Sequence, residues 1–358
     1  MNAYDQVDTS AGLAIIFTFL MILVLFVKWN KAKRVLKPNI YFIAYYLFAV
    51  ISVAWADWTQ IPVAGYKAVE VLTSFCFIML IMSKMKTIRQ AFDFILVLCL
   101  FLNLIFLLGN PGHDNAFPLV GIVEFMLALG AIRYEISTRK KMIHHLIVGL
   151  LTIIISTSTA SWLSLIIGLF VFFSTSTKGI KLTYVISAFI FFYGIFLFFG
   201  DYITSIIAAG HSEAELQSGT GRQQLWEAYI EGWKESPWVG HGFIVGEKGA
   251  VASQYVAFAT NTAHNMMISV LVNTGIIGMM IWLRFLWKQC SACYKLSLKK
   301  NVFALTMFPA LLAMFVNANS FPIIGSEWSP VSPPIYAMIV FVFTFMPKAI
   351  NDEGYIAK

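Results

Sequence analysis

The chain has 358 residues, of which 59% are hydrophobic and only 12% are charged. Soluble domains usually carry about 25% charged residues, so the composition excludes an ordinary soluble protein and predicts an all-α polytopic integral membrane protein. The formal net charge of +7 does not indicate nucleic-acid binding, because the basic residues are concentrated in short segments between apolar runs.

Eleven apolar stretches approach the length of a membrane-spanning helix, which needs about 20 apolar residues, with a range of roughly 17–25. In chain order they cover 9–27, 39–55, 66–83, 91–109, 117–132, 142–157, 161–176, 182–200, 265–287, 302–318 and 333–347. Several are short, so we predict 10–12 spans.

The basic residues predict how these spans are oriented. The segments between alternate spans hold 21 of the 25 Lys and Arg residues, at 28–37, 84–90, 133–141, 177–181, 284–300 and 348–358. Because cytoplasmic loops carry an excess of Lys and Arg, we expect these segments in the cytoplasm, with the N-terminus outside and the C-terminus inside.

One long segment, 201–264, is predicted on the outer face. Loops of this length usually carry function or are disordered, and the tryptophans and helical pattern here favour a folded cap. We therefore divide the chain into 1–200 with eight spans, 201–264 as the outer loop, and 265–358 with three spans and a cytoplasmic tail.

A short amphipathic helix is predicted after Thr220, which has capping-box spacing with Gln223;. Its apolar residues fall on one helical face, namely Leu225, Trp226, Tyr229, Ile230 and Trp233. Ser236-Pro237 ends the helix. We expect it to lie, apolar face down, on the membrane surface or on the transmembrane bundle.

Arg222 lies in the first turn of this helix, where the free N–H groups and the dipole disfavour a cation by a few tenths of a kcal/mol. A visiting anion would explain the position, since a helix N-terminus and a guanidinium together bind phosphate well. The alternative is that Arg222 pairs with Glu215 or anchors the helix to lipid headgroups.

A second helix start follows in "TNTAHNMMISVLVNTGIIGMM". Asn261 or Thr262 is expected to cap it, with His264 in the first turn. A neutral histidine beside a bound anion can take a proton from a hydroxyl; the alternative is a structural hydrogen-bond donor.

Glu124 is an ionisable residue in the middle of a predicted span, where burying a charge costs about 2.5–3.5 kcal/mol on insertion scales. It could line a substrate cavity or bond a neighbouring helix. No nucleotide-binding fingerprint or metal-ligand cluster appears in the sequence, so we predict no cofactor;.

Together, the two outer segments resemble the O-antigen ligase and polymerase superfamily of bacterial envelope glycan assembly. The resemblance rests on Arg222, Trp226, "PWVGHG" and "AHNMMISVLVNTGIIG", which contains His264, Asn265, Gly275 and Gly278. Weaker matches are "ISVAWADWTQIPVAGYKAVEVL", "GNPGHDNAF" and "ISTSTASWLSL". The resemblance implies a GT-C-like fold in the bacterial inner membrane, with its active site facing the periplasm.

The resemblance also implies the reaction. A glycan on polyprenyl diphosphate is transferred to a sugar hydroxyl, and the lipid diphosphate is released without nucleotide or metal. Arg222 would hold the diphosphate and His264 would accept the proton. The partners implied are the lipid-linked oligosaccharide donor, the glycan acceptor, membrane lipids and a chain-length regulator, with no nucleic acid. Further substrate contacts are expected from His241, Asn265, Lys234, His113, Lys67 and Glu124.

Two departures from the family pattern bear on the function. Thr159 stands where the family often has a second phosphate-binding arginine, and Asn273 stands where a glutamate is common. The first departure favours a polymerase of lipid-linked repeat units over a ligase that transfers the glycan to lipid A–core. A lipid-glycan transporter is a third reading, but transporters tend to show inverted repeats and broken midplane helices.

Overall fold

The chain folds into a bundle of α-helices in the computed structural model. The structure describes residues 9–57, 60–109, 116–156, 158–175, 222–247, 262–320, 325–326, 329–351 and 356. Within these ranges there is no β-strand, and the only β-type pairing is an isolated antiparallel bridge between Asn301 and Ile356. The all-α prediction is therefore confirmed for this part of the chain.

The described helices follow the apolar runs of the sequence. They are α1 (Thr9–Val27), α2 (Trp29–Leu36), α3 (Ile40–Ser52), α4 (Ile61–Met82), α5 (Ile88–Leu108), α6 (Phe117–Arg133), α7 (Arg139–Ile155), α8 (Thr159–Thr175), α9 (Arg222–Glu235), α10 (Met266–Leu298), α11 (Val302–Asn317) and α12 (Ser332–Val340). A π-helical turn, Phe341–Phe345, and a 3₁₀ turn, Met346–Asn351, continue α12.

Five helical segments in the described residues are long and apolar enough to cross a membrane. They are Lys37–Trp55, Ile61–Met82, Ile88–Leu108, Met266–Leu298 and Ser332–Ala349. Shorter apolar helices are Ala14–Val27, Ala160–Thr175 and Val302–Asn317. These segments confirm a polytopic membrane protein.

The predicted spans coincide with described helices in ten cases, and the eleventh, 182–200, lies outside the described residues. The total of eleven spans and the GT-C-like fold therefore remain predictions. The predicted loop 28–37 contains a helix, α2. The predicted loop 284–300 is also largely helical, because α10 continues to Leu298.

The extension of α10 beyond its apolar run is accompanied by contacts with α3. Arg284 and Lys288, four residues apart on one helical face, both lie over the ring of Tyr41, at 5.9 and 5.5 Å from its centroid. Such cation–π contacts are favourable by about 0.5–1 kcal/mol at exposed sites. They allow α10 to remain packed against the start of α3 after its sequence has become charged.

The helices pack around two neighbouring centres. α6 packs against α7, α8 and α11, whereas α10 packs against α3 and α11 and carries α9. Fully buried aromatic side chains fill the space between α3, α4, α10 and α12, with Phe42 at 4.1 Å from Phe75 and 5.2 Å from Phe285, centroid to centroid. The same helix, α10, also contacts the turn that follows α9.

Candidate active site at the break in α10

The first element of the site is α9, which begins at Arg222 and ends at Glu235, as the sequence predicts. Its apolar face is buried in a small hydrophobic cluster made of Leu225, Ala228, Tyr229, Ala263 and Val272. Trp233 and Ile268 pack against the same cluster. Since Val272 belongs to α10, the helix lies on the transmembrane bundle, which is one of the two placements expected.

The second element is the turn that follows α9, and it is joined to α10 by four backbone hydrogen bonds. The N–H groups of His241 and Gly242 donate to the carbonyls of Val272 and Asn273, at 3.0 Å each. In the opposite direction, Ile276 and Ile277 donate to the carbonyls of Pro237 and Trp238, at 2.9 and 3.1 Å. The turn thus supplies hydrogen-bond partners for backbone groups of α10 around residue 275 that are not paired within the helix.

Gly275 makes this arrangement possible, because it interrupts α10 with φ +62° and ψ −166°. A Cβ atom there would lie 2.4 Å from the carbonyl carbon of Trp238. Gly240, across the junction, has φ +67°, and its Cβ would lie 2.6 Å from the backbone of Asn273. Both positions require a residue without a side chain. The 237–242 turn and the Gly-x-x-Gly stretch of α10 at Gly275 therefore pack directly against each other. We call this contact the joint.

His264 lies two residues before Met266, the first residue of α10, so its predicted position was wrong. The N-cap of α10 is Asn265, whose Oδ1 accepts from the N–H groups of Met267 and Ile268 at 3.0 and 3.2 Å. Thr262 and Asn261 are not the cap, and His264 precedes the helix instead of occupying its first turn. Asn265 caps the helix because its side chain accepts from two N–H groups that have no partner within the helix.

The backbone of His264 is in the left-handed region, with φ +49°. This conformation is uncommon for residues other than glycine and is often found at functional sites. The side chain is half-buried, and the backbone N–H donates to Thr262 Oγ1 at 3.3 Å.

Trp226 connects α9 directly to the His264 segment. Its Nε1 donates to the carbonyl of Ala263 at 2.8 Å. Arg222, one turn earlier in α9, is described through its backbone only. The structure therefore brings the N-terminal turn of α9 and the His264 segment together, two features that are 42 positions apart in the chain.

Glu247 is the residue at the centre of the site that the sequence analysis missed. It is 3% exposed, and five groups donate to its carboxylate. Oε1 accepts from Thr262 Oγ1 at 2.8 Å, Ser269 Oγ at 2.7 Å and Ala263 N at 3.4 Å. Oε2 accepts from Asn273 Nδ2 at 3.1 Å and Ser326 Oγ at 3.0 Å. The residue thus links the turn, the His264 segment, α10 and the segment before α12.

The backbone of Glu247 is held as well. Its N–H donates to Asn273 Oδ1 at 3.0 Å, and its carbonyl accepts from the Tyr229 hydroxyl at 2.7 Å. Burial, and secondarily the negative charge of Glu247, raise the pKa of Tyr229, so this hydroxyl stays protonated and can donate. A sequence signal did exist: Ser269 and Asn273 place two polar side chains four residues apart on an otherwise apolar helix start.

Three other predicted substrate contacts have local partners. His241 Nε2 donates to the carbonyl of Gly232 at 2.7 Å and so closes the end of α9. Lys234 is exposed and forms an ion pair with Glu231 at 2.5 Å. Lys67, also considered, pairs with the buried Glu70 at 3.1 Å.

Glu124 is not part of this site. It is fully buried in α6, where Oε2 accepts from Asn103 Nδ2 of α5 at 2.6 Å and Oε1 lies 2.6 Å from His145 Nδ1 of α7. Of its two predicted roles, the structure supports the bond to neighbouring helices. His145, the partner of Glu124, is buried as well.

Several predicted features fall outside the described residues. His113, Thr220, Asn261 and Glu215 lie there, as do 201–221 and 248–261 of the outer loop. Thr159 is described only as the first residue of α8.

Comparison with known proteins gives one family. Residues 144–283 match the family model described as O-antigen ligase, and no curated protein matches the chain significantly. The matched range begins in α7, ends in α10 and contains Arg222, the 237–242 turn, Glu247 and His264. Members of this family are glycosyltransferase-like enzymes. The match supports the resemblance drawn from the sequence: over residues 144–283 the chain is similar to the O-antigen ligase family.

Proposed function

We propose that this protein polymerises oligosaccharide repeat units carried on polyprenyl diphosphate, at the periplasmic face of the bacterial inner membrane. The observation that carries the proposal is the bond from Trp226 Nε1 to the carbonyl of Ala263, at 2.8 Å. It fixes the helix that begins at Arg222 against the segment that bears His264. In the proposal, the phosphate-binding element and the base belong to one site.

In this proposal Arg222 and the free N–H groups at the start of α9 bind the diphosphate of the donor. A guanidinium offers two parallel charge-assisted hydrogen bonds to phosphate oxygens, and the helix dipole favours negative charge at the same place. Both interactions strengthen as the diphosphate departs with a full extra charge, which is the condition for lowering a barrier.

His264 is the proposed general base. The acceptor hydroxyl oxygen attacks the anomeric carbon of the donor sugar, and the bond from that carbon to the phosphate oxygen breaks. The bonding electron pair leaves with the diphosphate, and the hydroxyl proton passes to the imidazole of His264. The phosphoester linkage of the donor supplies the free energy, so the reaction is proposed to need neither nucleotide nor metal.

Thr159 favours polymerisation over ligation. It begins α8, at the position where a second phosphate-binding arginine is often found in the family. The stretches "GTGRQQLW…PWVGHGF" and "STSTAS" also resemble the exopolysaccharide-polymerase branch more than the ligases. The acceptor in this reading is a second lipid-linked repeat unit. In the alternative reading, a ligase, the acceptor is lipid A–core.

Reconstitution separates the two readings. The purified protein in liposomes with lipid-linked repeat units alone is expected to give a ladder of longer lipid-linked glycans on a gel. A product that appears only when lipid A–core is added would establish the ligase. In cells, deletion of the gene should leave single repeat units or no long glycan; full-length polymer stranded on the polyprenyl lipid would contradict the polymerase.

The orientation of the site is tested by cysteine labelling. Lys234 lies in α9 and Lys299 follows α10, and both are exposed. In a background without the four native cysteines, Lys234→Cys should react with a membrane-impermeant thiol reagent from the periplasm and Lys299→Cys only from the cytoplasm. Reaction of both from one side would overturn the periplasmic placement.

A further inference from the structure

Glu247 is bound to the His264 segment through a directional chain of hydrogen bonds. Thr262 Oγ1 donates its single proton to Glu247 Oε1 at 2.8 Å. The oxygen of the same hydroxyl accepts from the backbone N–H of His264 at 3.3 Å. Because a hydroxyl has one proton and two lone pairs, the acceptor at Glu247 decides which way the Thr262 hydroxyl points and leaves its oxygen free to hold His264.

The conformation of His264 needs such support. A φ of +49° is sparsely populated for a residue with a Cβ, and it persists only where the surroundings fix it. The neighbours on both sides are fixed: Ala263 by Trp226 and by Glu247 Oε1, and Asn265 by its capping bonds. Glu247 contributes to this on the N-terminal side of His264.

We propose that Glu247 is a positioning residue for His264, and that the pair Glu247–Asn273 supplies this site with one carboxylate that either position could carry. The two side chains face each other, since Asn273 Nδ2 donates to Glu247 Oε2 at 3.1 Å and Asn273 Oδ1 accepts from Glu247 N at 3.0 Å. An acidic side chain at 273 would therefore place its carboxylate next to the position of the Glu247 carboxylate, at hydrogen-bonding distance. The inference rests on the proposed function, because it assigns His264 the task of accepting the acceptor proton.

The test exchanges the charge between the two positions. Glu247→Gln places an amide NH₂ against the NH₂ of Asn273 or removes an acceptor from Thr262, so kcat should fall by about 10²-fold, the scale expected for a small misplacement of a reacting group. The KM for the lipid-linked donor should change little. Asn273→Asp alone should also reduce kcat, because it opposes two carboxylates at hydrogen-bonding distance.

The double variant Glu247→Gln/Asn273→Asp restores complementary donors and acceptors, and its kcat should recover most of the loss. Glu231→Gln, the same substitution on the exposed face of α9, is the matched control and should behave as wild type. Recovery in the double variant distinguishes positioning from general damage. If Glu247→Gln had wild-type kcat, or if the double variant were no better than the worse single variant, the proposal would be overturned.

Amide hydrogen exchange of residues 262–268 in nanodiscs gives a second readout that needs no activity. Exchange should accelerate in Glu247→Gln and in Asn273→Asp and return toward wild type in the double variant. If this pattern appears while the wild-type protein transfers no glycan, the positioning of the His264 segment stands and the proposed function fails. If the wild-type protein transfers glycan and exchange is the same in all variants, the positioning role fails alone.

Discussion

Two of the buried carboxylates in the described residues, Glu247 and Glu124, serve different kinds of architecture. Glu124 bonds two side chains, Asn103 and His145, that come from continuous helices on either side of α6. Glu247 accepts from five groups on three separate segments, and one of these groups is a backbone N–H. Both are at most 3% exposed.

The difference follows from what the surrounding backbone needs. Continuous helices satisfy their own N–H and C=O groups inside a membrane, so Glu124 has only side chains to hold and acts as a link between α5, α6 and α7. Where α10 is interrupted at Gly275 and the chain enters at residue 262, the backbone is irregular. Such backbone is tolerated at a membrane only when it is buried in protein or lines a cavity. Glu247 accepts from one backbone N–H there, that of Ala263, and from four side chains that border the irregular region.

In the proposed function the chemistry takes place at the irregular region, so the largest effect is expected there. His264→Ala should slow glycan transfer by about 10²–10⁴-fold, the usual contribution of a general base. The variant should retain affinity for the lipid diphosphate, because the proposed task of His264 is to accept the proton of the acceptor hydroxyl. Turnover and donor binding of the purified variant, measured side by side, check this; loss of binding in proportion to turnover would contradict the assigned role.

Arg222→Ala should lower transfer by about 10²–10³-fold, as for the loss of one preorganised donor to a developing charge. Unlike the histidine variant, it should also weaken binding of the lipid donor. Arg222→Lys should recover little, because lysine lacks the planar fork that binds phosphate through two bonds. If Arg222→Ala kept near-normal turnover, Arg222 would be only a headgroup anchor.

Gly275→Ala tests the joint between the turn and α10. Alanine at φ +62° is strained, and its Cβ would overlap Trp238, so the turn should detach and transfer should fall by about 10²-fold. Gly65→Ala is the control, since the nearest atom to its Cβ, Val53 Cγ1, is 3.8 Å away. Thermal melting in detergent, measured with turnover, shows whether the bundle survives. An unchanged Gly275→Ala enzyme would show that the joint is not required.

The parts of this site that sequence could predict are those set by local pattern. Apolar run length predicted ten of the helices, and the periodicity from Leu225 to Trp233 predicted the buried face of α9. The end of α10 was missed because Arg284 and Lys288 ended the apolar run, whereas their contacts with Tyr41 are set by tertiary packing.

Glu247 and the cap of α10 were missed for a related reason. An acidic residue in an outer loop reads as solvent-exposed, and nothing local to "GHGFIVGE" indicates that Thr262, Ser269 and Ser326 surround it. Similarly, "TNTAHN" contains four residues of the types that cap helices, Thr260, Asn261, Thr262 and Asn265, and the sequence does not decide among them;. Contacts between positions far apart in sequence determine both features.

Glu124→Gln tests the other member of the comparison, the carboxylate that links continuous helices. The substitution keeps one acceptor for Asn103 but removes the charge facing His145, so we expect the free energy of unfolding to fall by about 1–3 kcal/mol. Turnover per folded molecule should stay within about twofold, since Glu124 bonds only helix-packing side chains;. Chemical or thermal unfolding in detergent, combined with initial rates, checks both parts. A large loss of turnover without loss of stability would return Glu124 to the substrate path.

The smallest effect is expected at Lys234, an exposed cation on the same helix as Arg222. Its ion pair with Glu231 leaves both side chains more than half exposed, and such surface pairs contribute about 0–1 kcal/mol to stability. Lys234 also lies at the C-terminal end of α9, three turns from the positive end where an anion would bind;. Lys234→Ala should therefore keep transfer within about twofold of wild type and shift the melting temperature little. The measurement is initial rate against concentration of the lipid-linked donor. A rise in KM of tenfold or more would mean that the diphosphate is held along the whole of α9 instead of at its N-terminus. The N-terminal end of α9 would then no longer differ in function from the rest of the helix.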